Sequence, residues 1–346
     1  MPDVLIDRGR EAGDRADPVK VGDCFARIDI IVPHADSDDS CPLCNGRSTV
    51  FLIKNKWPLN ECQSCRHRFC KSNLQVKDRI ADQFDDRYFF GGESCYDDYT
   101  DLHCDLRRKG ERYGRLLQDL LKSDDRECRR ILDVGCAAGF LAEGFQQQGW
   151  QVTGIEANAS MAQFGRDKLK LDIHQCTVED FDVGQRFSAA SLIQVLPHLI
   201  DPCTVLEQVR ERLLPDGLLL IETWNRQSLT AKVLGRYWHQ LNPPNVLHWF
   251  AKGRLLKLLR QYGFEVVQQG RPVKWINFGN GVAALRKSTS ESKLISAFFS
   301  PTRLIPAGIR VPYFFDDVFW VIARKKDVKA PLPEEAPTQD NAKLNI

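Results

Sequence analysis

Two groups of residues in this 346-residue chain have the types and spacing to do chemistry. The first runs from Arg130 to Glu156. An apolar stretch ends in Asp133, a turn of small residues follows at Gly135, Ala137, Ala138 and Gly139, and after a helix-like segment a second apolar stretch closes at Glu156. This pattern predicts a strand, a tight turn, a helix and a strand, with an acid ending each strand. In an open α/β sheet, ligands bind outside the carboxyl ends of the strands, so the turn and both acids are expected around one crevice suited to a nucleotide-like ligand. The second group is Cys41-Pro-Leu-Cys44 and, after seventeen intervening residues, Cys62-Gln-Ser-Cys65. Two C-x-x-C knuckles at that separation match a zinc pattern. Four thiolates make a closed tetrahedral shell, so the expected Zn2+ is structural, folding a segment too small for a core of its own. His67 and Cys70 stand beside the second knuckle as alternative ligands.

The elements that must position these groups follow from the apolar periodicity. Candidate strands at 130–134, 151–155, 171–175, 188–193, 217–222, 264–268 and 317–323 alternate with helical segments. That alternation predicts an α/β, Rossmann-like, seven-stranded and mostly parallel sheet with helices on both faces, plus a small N-terminal zinc-binding module. The dinucleotide fingerprint G-x-G-x-x-G would need glycines at 135, 137 and 140. The chain has Gly135, Ala137 and Phe140, so that reading fails at two of three positions. The helix after the turn starts with free N–H groups, which favour a carboxylate.

With Asp133 two residues before Gly135, and Gly139 four after it, the turn resembles motif I of the class I S-adenosylmethionine-dependent methyltransferases, roughly D-x-G-x-G-x-G. Ala137 replaces the usual central glycine, and its methyl is expected to push the loop slightly outward. The resemblance implies that Asp133, Gly135, Cys136, Ala137 and Gly139 cradle S-adenosyl-L-methionine and that Glu156 grips its ribose hydroxyls. It also implies an acid and an apolar neighbour at the adenine in Thr177-Val178-Glu179-Asp180, with Val178 and Glu179 the best matches, and a donor contact from Gln194. The stretch from Gln194 to Pro202 is similar to the V-L-E-H-x-x-D-P of small-molecule methyltransferases, including the ubiquinone-pathway O-methyltransferases. Leu196, His198, Asp201 and Pro202 match it. Pro197 replaces the acid, which disfavours a metal-dependent mechanism. A histidine beside the methyl group suits proton removal from an acceptor hydroxyl, so His198 is a candidate base. The segment from Glu222 to Phe250 resembles the crossover of a bacterial subgroup whose members include chains with N-terminal zinc modules. Asn225, Ser228, Gly235, Trp238, His248 and Phe250 match its pattern, and Trp224 stands where a proline is usual. His248 is the second candidate base, and Tyr237, Trp238 and His239 are further candidates to meet an acceptor.

Composition bounds the function classes. Hydrophobic residues make up 43% and charged residues 27%, with 48 basic and 46 acidic side chains for a net charge of +2. Near balance argues against a nucleic-acid or anionic-membrane footprint. No apolar run long enough to span a membrane is present, and the first residues lack the pattern of a secretory signal, so a cytoplasmic protein is expected. Twelve cysteines in such a chain argue against a disulfide framework. The expected organisation is a flexible arm at 1–37, a zinc-ribbon-like module at 38–73, an aromatic and helical connector at 74–125, a methyltransferase domain at 126–326 and a disordered tail at 327–346. The connector aromatics, Phe84 to Tyr99, either pack on the domain or form a lid over the donor. The expected function is methyl transfer from S-adenosylmethionine to a small-molecule acceptor such as a sugar, a quinone or another metabolite. A nucleic-acid or protein methyltransferase using the zinc module as a reader, and a non-catalytic donor-binding protein, are the alternatives. The acceptor and the oligomeric state are not set by the sequence.

Overall fold

Short apolar runs such as Leu218-Leu-Leu-Ile221 are buried on both faces, as strands in the middle of a helix-covered parallel sheet must be. The computed structural model describes residues 40–71, 99–122, 129–182, 184–273, 275–277, 310–313 and 315–326, which belong to one unit, 39–346. The expected arm, most of the connector aromatics and the tail lie outside these residues. In chain order the elements are β1 (Ser48–Lys54), β2 (Trp57–Cys62), β3 (Arg68–Cys70), α1 (His103–Leu120), β4 (Arg130–Val134), α2 (Phe140–Gln147), β5 (Gln151–Ile155), α3 (Ala159–Leu169), β6 (Asp172–His174) and β7 (Phe187–Ile193). They continue with α4 (Pro202–Arg212), β8 (Leu213–Trp224), α5 (Leu229–Leu234), β9 (His248–Trp249), α6 (Lys252–Gln261), β10 (Phe264–Gly270), β11 (Trp275–Asn277), β12 (Arg310–Pro312) and β13 (Val318–Lys325).

The main sheet has seven strands in the order β10-β13-β8-β7-β4-β5-β6. Its β4, β5, β6, β7 and β8 pair in parallel, and β13 is antiparallel to both of its neighbours. The chain builds outward from β4 through β5 to β6, then returns to lay β7 on the other side of β4. That reversal makes the carboxyl end of β4 the switch point where an open sheet parts to admit a ligand. The helices around it are capped by their own sequences. Asp201 accepts from the amides of Cys203 and Thr204 at 2.9 and 3.0 Å to start α4, with Pro202 in its first turn. Asn158 does the same for α3 through Met161 N at 2.7 Å.

α1 lies on α2 with almost no side chain between them. A Cβ on Gly110 would fall 2.1 Å from the Leu141 carbonyl oxygen, and one on Gly144 would fall 2.1 Å from that of Arg107. Tyr113 and Leu117, on the apolar side of α1, are buried in one cluster with Phe145 and Trp150.

A second, four-stranded antiparallel sheet has the order β1-β2-β3-β9. Its first three strands are the cysteine-bearing ribbon. The fourth comes from the crossover after β8: Arg68 pairs with Trp249 and Phe69 with His248, and Cys70 N donates to Leu247 O at 2.8 Å. Leu59, Trp238, Leu241, Leu247 and Trp249 bury one apolar cluster across this joint.

Candidate active site and metal centre

The turn after β4 is held by backbone bonds from Gly135 N and Cys136 N to Ile155 O, at 2.8 and 3.1 Å. Gly135 and Gly139 have φ of +67° and +82°, and a Cβ on them would come within 2.6 Å of Val195 and 2.5 Å of Leu171. Both positions therefore require glycine. Ala137 shares the left-handed conformation, with φ +49°, and its buried methyl belongs to a cluster with Phe140 and Met161. Cys136 turns its side chain into the packing around Ala142, Ala162 and Ile173, so it offers the crevice only its backbone.

Two buried acids flank this turn. Asp133, 3% exposed, accepts from Ser191 Oγ at 2.6 Å through Oδ1. Its Oδ2 is buried with no partner among the described residues. Burial pushes its pKa up to about 7; the Ser191 hydroxyl opposes the rise and nearby Glu156 adds to it. Glu156 accepts from Ala137 N and Asn158 N, both at 2.8 Å. Burial raises its pKa, against the pull of these amides and that of Ala157. One carboxylate thus ties the glycine-rich turn to the start of α3, and oxygen atoms of both acids have lone pairs left over. An unpartnered carboxylate oxygen beside a close-approach turn fits a ligand that carries hydroxyls and a cationic group.

At the next strand ends, Val178 is buried beside Val134, Ile155 and Leu196, and Glu179 is exposed in the turn after β6. Asp180, its competitor from the sequence, accepts from Thr177 Oγ1 at 2.9 Å. Gln194 closes β7 with φ +61°. Its Nε2 donates to Glu222 Oε1 at 2.8 Å, while its Oε1 is buried without a partner among the described residues.

Glu222 itself was not singled out by the sequence reading. It is 1% exposed, and Lys109 Nζ donates to it at 2.5 Å. Tyr113 Oη donates to its other oxygen. Burial alone would raise its pKa, yet Lys109, Tyr113 and Gln194 together hold it below the ordinary value. The rule that found Asp133 and Glu156, an acid closing an apolar strand, also fits Leu218-Leu-Leu-Ile-Glu222. It could have found this residue, though not its partners.

The two candidate bases have different surroundings. His198 is half-buried on a short 3-10 turn after β7, edge-on to Trp224 at 5.5 Å. Its Nδ1 donates to the Asn245 carbonyl at 2.5 Å, which makes Nε2 the basic nitrogen of the neutral ring. Burial lowers its pKa despite that bond. His248 lies next to the same turn, where Leu247 N donates to Pro197 O at 2.9 Å, but it is sealed from solvent. It lies in β9, 2% exposed, with Nδ1 3.1 Å from His67 Nε2. Burial, partly offset by the carbonyls of Ile200 and Leu199, lowers its pKa to about 4. A ring held on both sides and sealed from solvent joins the ribbon to the domain and has no room to meet an acceptor. The sequence expectation for His248 is corrected on that ground.

Other crossover residues also bond within the protein. Ser228 caps α5 through Ala231 N at 3.0 Å, and Asn225 Oδ1 accepts from Gln227 N and Lys252 N at 3.1 and 3.2 Å. Trp238 is anchored by Nε1 to buried Asp317 at 2.8 Å, and His239 approaches the same carboxylate at 3.9 Å.

In the ribbon, the Sγ atoms of Cys41, Cys44, Cys62 and Cys65 all lie within 4.8 Å of one another. The pairs Cys41–Cys65 and Cys44–Cys62 are 3.6 and 3.5 Å apart, close to the edge of about 3.8 Å of a tetrahedron with zinc–sulfur bonds of about 2.3 Å. Amides of Leu43 and Cys65 donate to Cys41 and Cys62, both at 3.4 Å, as thiolates require. The Cys41 thiol beside Cys65 holds the latter down to about 5, while burial pushes Cys44 up to about 11. His67 and Cys70 are outside this cluster. A cavity of about 760 Å³ at the opposite, amino edge of the sheet is lined by Arg210, which donates to the Lys326 carbonyl, and by Arg212, which donates to those of Phe181 and Gln208. It shares nothing with the crevice.

A family model described as a methyltransferase domain matches residues 105–269. The ubiquinone biosynthesis O-methyltransferase of Dinoroseobacter shibae is 31% identical over 182 residues, covering 47% of this chain and 69% of that protein. That of Bradyrhizobium diazoefficiens is 32% identical over 131 residues, covering 36% and 49%. The chain spans from about half to about two thirds of the length of the first such relatives. Among solved structures, the magnesium protoporphyrin IX methyltransferase of Synechocystis PCC 6803 is 13% identical, covering 72% of this chain and 100% of that one, with a TM-score of 0.45. The chain belongs to the class I S-adenosylmethionine-dependent methyltransferase family. Within that family, the two relatives compared above carry the name ubiquinone biosynthesis O-methyltransferase.

Proposed function

We propose that this protein transfers a methyl group from S-adenosylmethionine to a small-molecule acceptor, with a hydroxyl oxygen as the methylated atom. The observation that carries this reading is the pair of buried carboxylates, Asp133 and Glu156, across a glycine-dependent turn at the switch point of the sheet. The donor, when bound, supplies an electrophilic methyl on a sulfonium. Asp133 offers its unpartnered Oδ2 to a cationic part of the donor, and Glu156 offers its remaining lone pairs to the ribose hydroxyls. Glu179 and Val178 flank the adenine, and Gln194 presents its buried Oε1 from the end of β7. His198 is the group proposed to take the acceptor's proton. Its lowered pKa keeps Nε2 unprotonated near neutral pH. In-line displacement asks mostly for proximity and orientation, which the Lys109–Glu222–Gln194 network provides by bracing α1 against the strand ends.

The hydroxyl acceptor is supported by the relatives' name, and small-molecule chemistry by the near-neutral charge. Cys41, Cys44, Cys62 and Cys65 are proposed to hold one structural zinc, since all four ligands come from the protein. No helix among the described residues is long and apolar enough to cross a membrane, and a cytoplasmic location is retained as part of the proposal.

Incubation with isotopically labelled donor and a metabolite extract, followed by mass analysis, identifies the acceptor. Binding is tested separately by calorimetry. Glu156→Ala is expected to weaken the donor by more than about 1 kcal/mol, the scale of a hydrogen bond to a charged group. Unchanged affinity overturns the assignment.

A further inference from the structure

We propose that the cysteine ribbon is a positioning element for the reaction: it holds the crossover segment 242–249, which in turn fixes the ring of His198, with His67 and His248 as the positioning residues. That His198 is the base rests on the methyl-transfer reading above; its hold by the ribbon does not. The segment meets the ribbon at both ends. At one end Asn55, in the turn between β1 and β2, donates through Nδ2 to Pro243 O at 3.2 Å and to Asn242 Oδ1 at 3.4 Å. At the other, β9 pairs with β3, and Cys70 N donates to Leu247 O at 2.8 Å. β9 is two residues long and forms an edge of its sheet, with β3 as its neighbour. So short a strand is not stable by itself, and its place depends on the ribbon.

Between those ends the segment bonds to the turn that carries His198. Leu247 N donates to Pro197 O at 2.9 Å, and His198 Nδ1 donates to Asn245 O at 2.5 Å. Leu247 thus takes a bond from the ribbon through its carbonyl and gives one to the turn through its amide. The His248 ring crosses the same joint. The carbonyls of Leu199 and Ile200 lie near enough to favour its charged form, and His198 near enough to oppose it. Its Nδ1 is 3.1 Å from His67 Nε2. A proton drawn to Nε2 by the carbonyls leaves Nδ1 as the acceptor of the neutral ring, so His67 Nε2 is the donor. His67 is 1% exposed, its ring lies between those of Phe69 and Phe250, and its carbonyl accepts from Cys62 N at 2.9 Å. The second cysteine knuckle is therefore linked to the His198 turn through packed and bonded groups.

The consequence is chemical as well as mechanical. A general base must keep one ring nitrogen unprotonated and aimed at its proton. The Asn245 carbonyl secures both for His198 by accepting from Nδ1, because the bond made by one ring nitrogen decides which of the two carries the proton. A shift of the crossover withdraws that carbonyl and frees the ring to turn and to change tautomer.

The test uses the full chain with nitrogen-labelled histidine at about pH 8, above the ordinary imidazole range. Long-range nitrogen–proton NMR spectra distinguish the two tautomers, and His198→Gln assigns the His198 signal. In the wild type His198 is expected to carry its proton on Nδ1, and His67 and His248 on Nε2. His67→Leu removes the donor. It is expected to move His198 toward the Nε2–H form and to slow labelled-methyl incorporation into the metabolite extract about tenfold or more, with S-adenosylmethionine affinity unchanged by calorimetry. His67→Gln, whose amide nitrogen stands in for Nε2, is expected to restore the wild-type pattern. A folded His67→Leu that keeps its His198 proton on Nδ1 overturns the proposal, as does a wild-type His198 protonated on Nε2. Hydrogen exchange on the wild type decides the matter if His67→Leu fails to fold. The amides of Cys70 and Leu247 are expected to exchange together, as parts of one cooperative unit. Leu247 still protected after Cys70 has exchanged shows the crossover held without the ribbon and overturns the proposal. Failure of the wild type to bind S-adenosylmethionine, with the histidine pattern as expected, sinks the methyl-transfer reading and leaves the ribbon's hold on His198 standing.

Discussion

Ala137 shows how one side chain reconciles opposing terms. Its φ of +49° lies in the region that costs a residue with a Cβ roughly 1–2 kcal/mol. Its methyl packs beside Phe140 and Met161, and burying one carbon is worth about 0.8 kcal/mol. Glycine would remove the strain but lose that contact and add about 0.5–1 kcal/mol of backbone entropy. Ala137→Gly is therefore expected to leave stability within about 1 kcal/mol in a urea titration. The sequence expectation that the methyl crowds the loop outward is replaced by one in which it faces the helices. Asp133 carries the pH prediction. Its folded pKa is about 7, above the ordinary value near 4, so between those values the folded state binds a proton that the unfolded state has released. Stability from this group falls as pH rises from about 4 to about 7. Asp133→Asn is expected to lose that slope, measured as the difference between wild-type and variant urea midpoints across pH 5 to 8. Parallel curves would contradict it.

Among the elements, the α1–α2 contact carries a strong constraint. Gly144→Ala places a Cβ 2.1 Å from the Arg107 carbonyl oxygen and 2.8 Å from Glu111 N, both backbone atoms. The helices must separate, and overpacking of this kind costs about 1–3 kcal/mol. Because α1 also carries Lys109 and Tyr113 to Glu222, the shift would loosen a buried charge from its partners. A loss of about 2 kcal/mol or more is expected by thermal unfolding, and a wild-type midpoint would show the contact to be softer than its geometry. That α1 is a helix with Tyr113 and Leu117 on its apolar side was legible from spacing. That its Lys109 reaches Glu222 was not, because the partners lie 113 residues apart and periodicity names a face without naming what covers it.

For the molecule as a whole, the ribbon and the crossover form one sheet, so metal and crossover are expected to be coupled. Four thiolates within 4.8 Å of one another predict one zinc per chain by elemental analysis. Chelation is expected to raise hydrogen exchange across 41–70 and also at 247–249, where β9 borrows its pairing from β3. Protection at 247–249 that survives metal removal would show the sheet to be stable without its zinc.

Seven strands, the turn at 135–139, the acids at 133 and 156 and the four zinc-ligand candidates were all written in local order, because strands, glycine turns and knuckles are set by neighbours a few residues apart. The tertiary structure alone decided that His248 is sealed against His67, that Glu222 is braced by Lys109, and that the crossover bonded to His198 is paired with the ribbon. Each of these depends on burial and charge contributed from distant parts of the chain, and residue type at one position does not reveal the field in which it will sit.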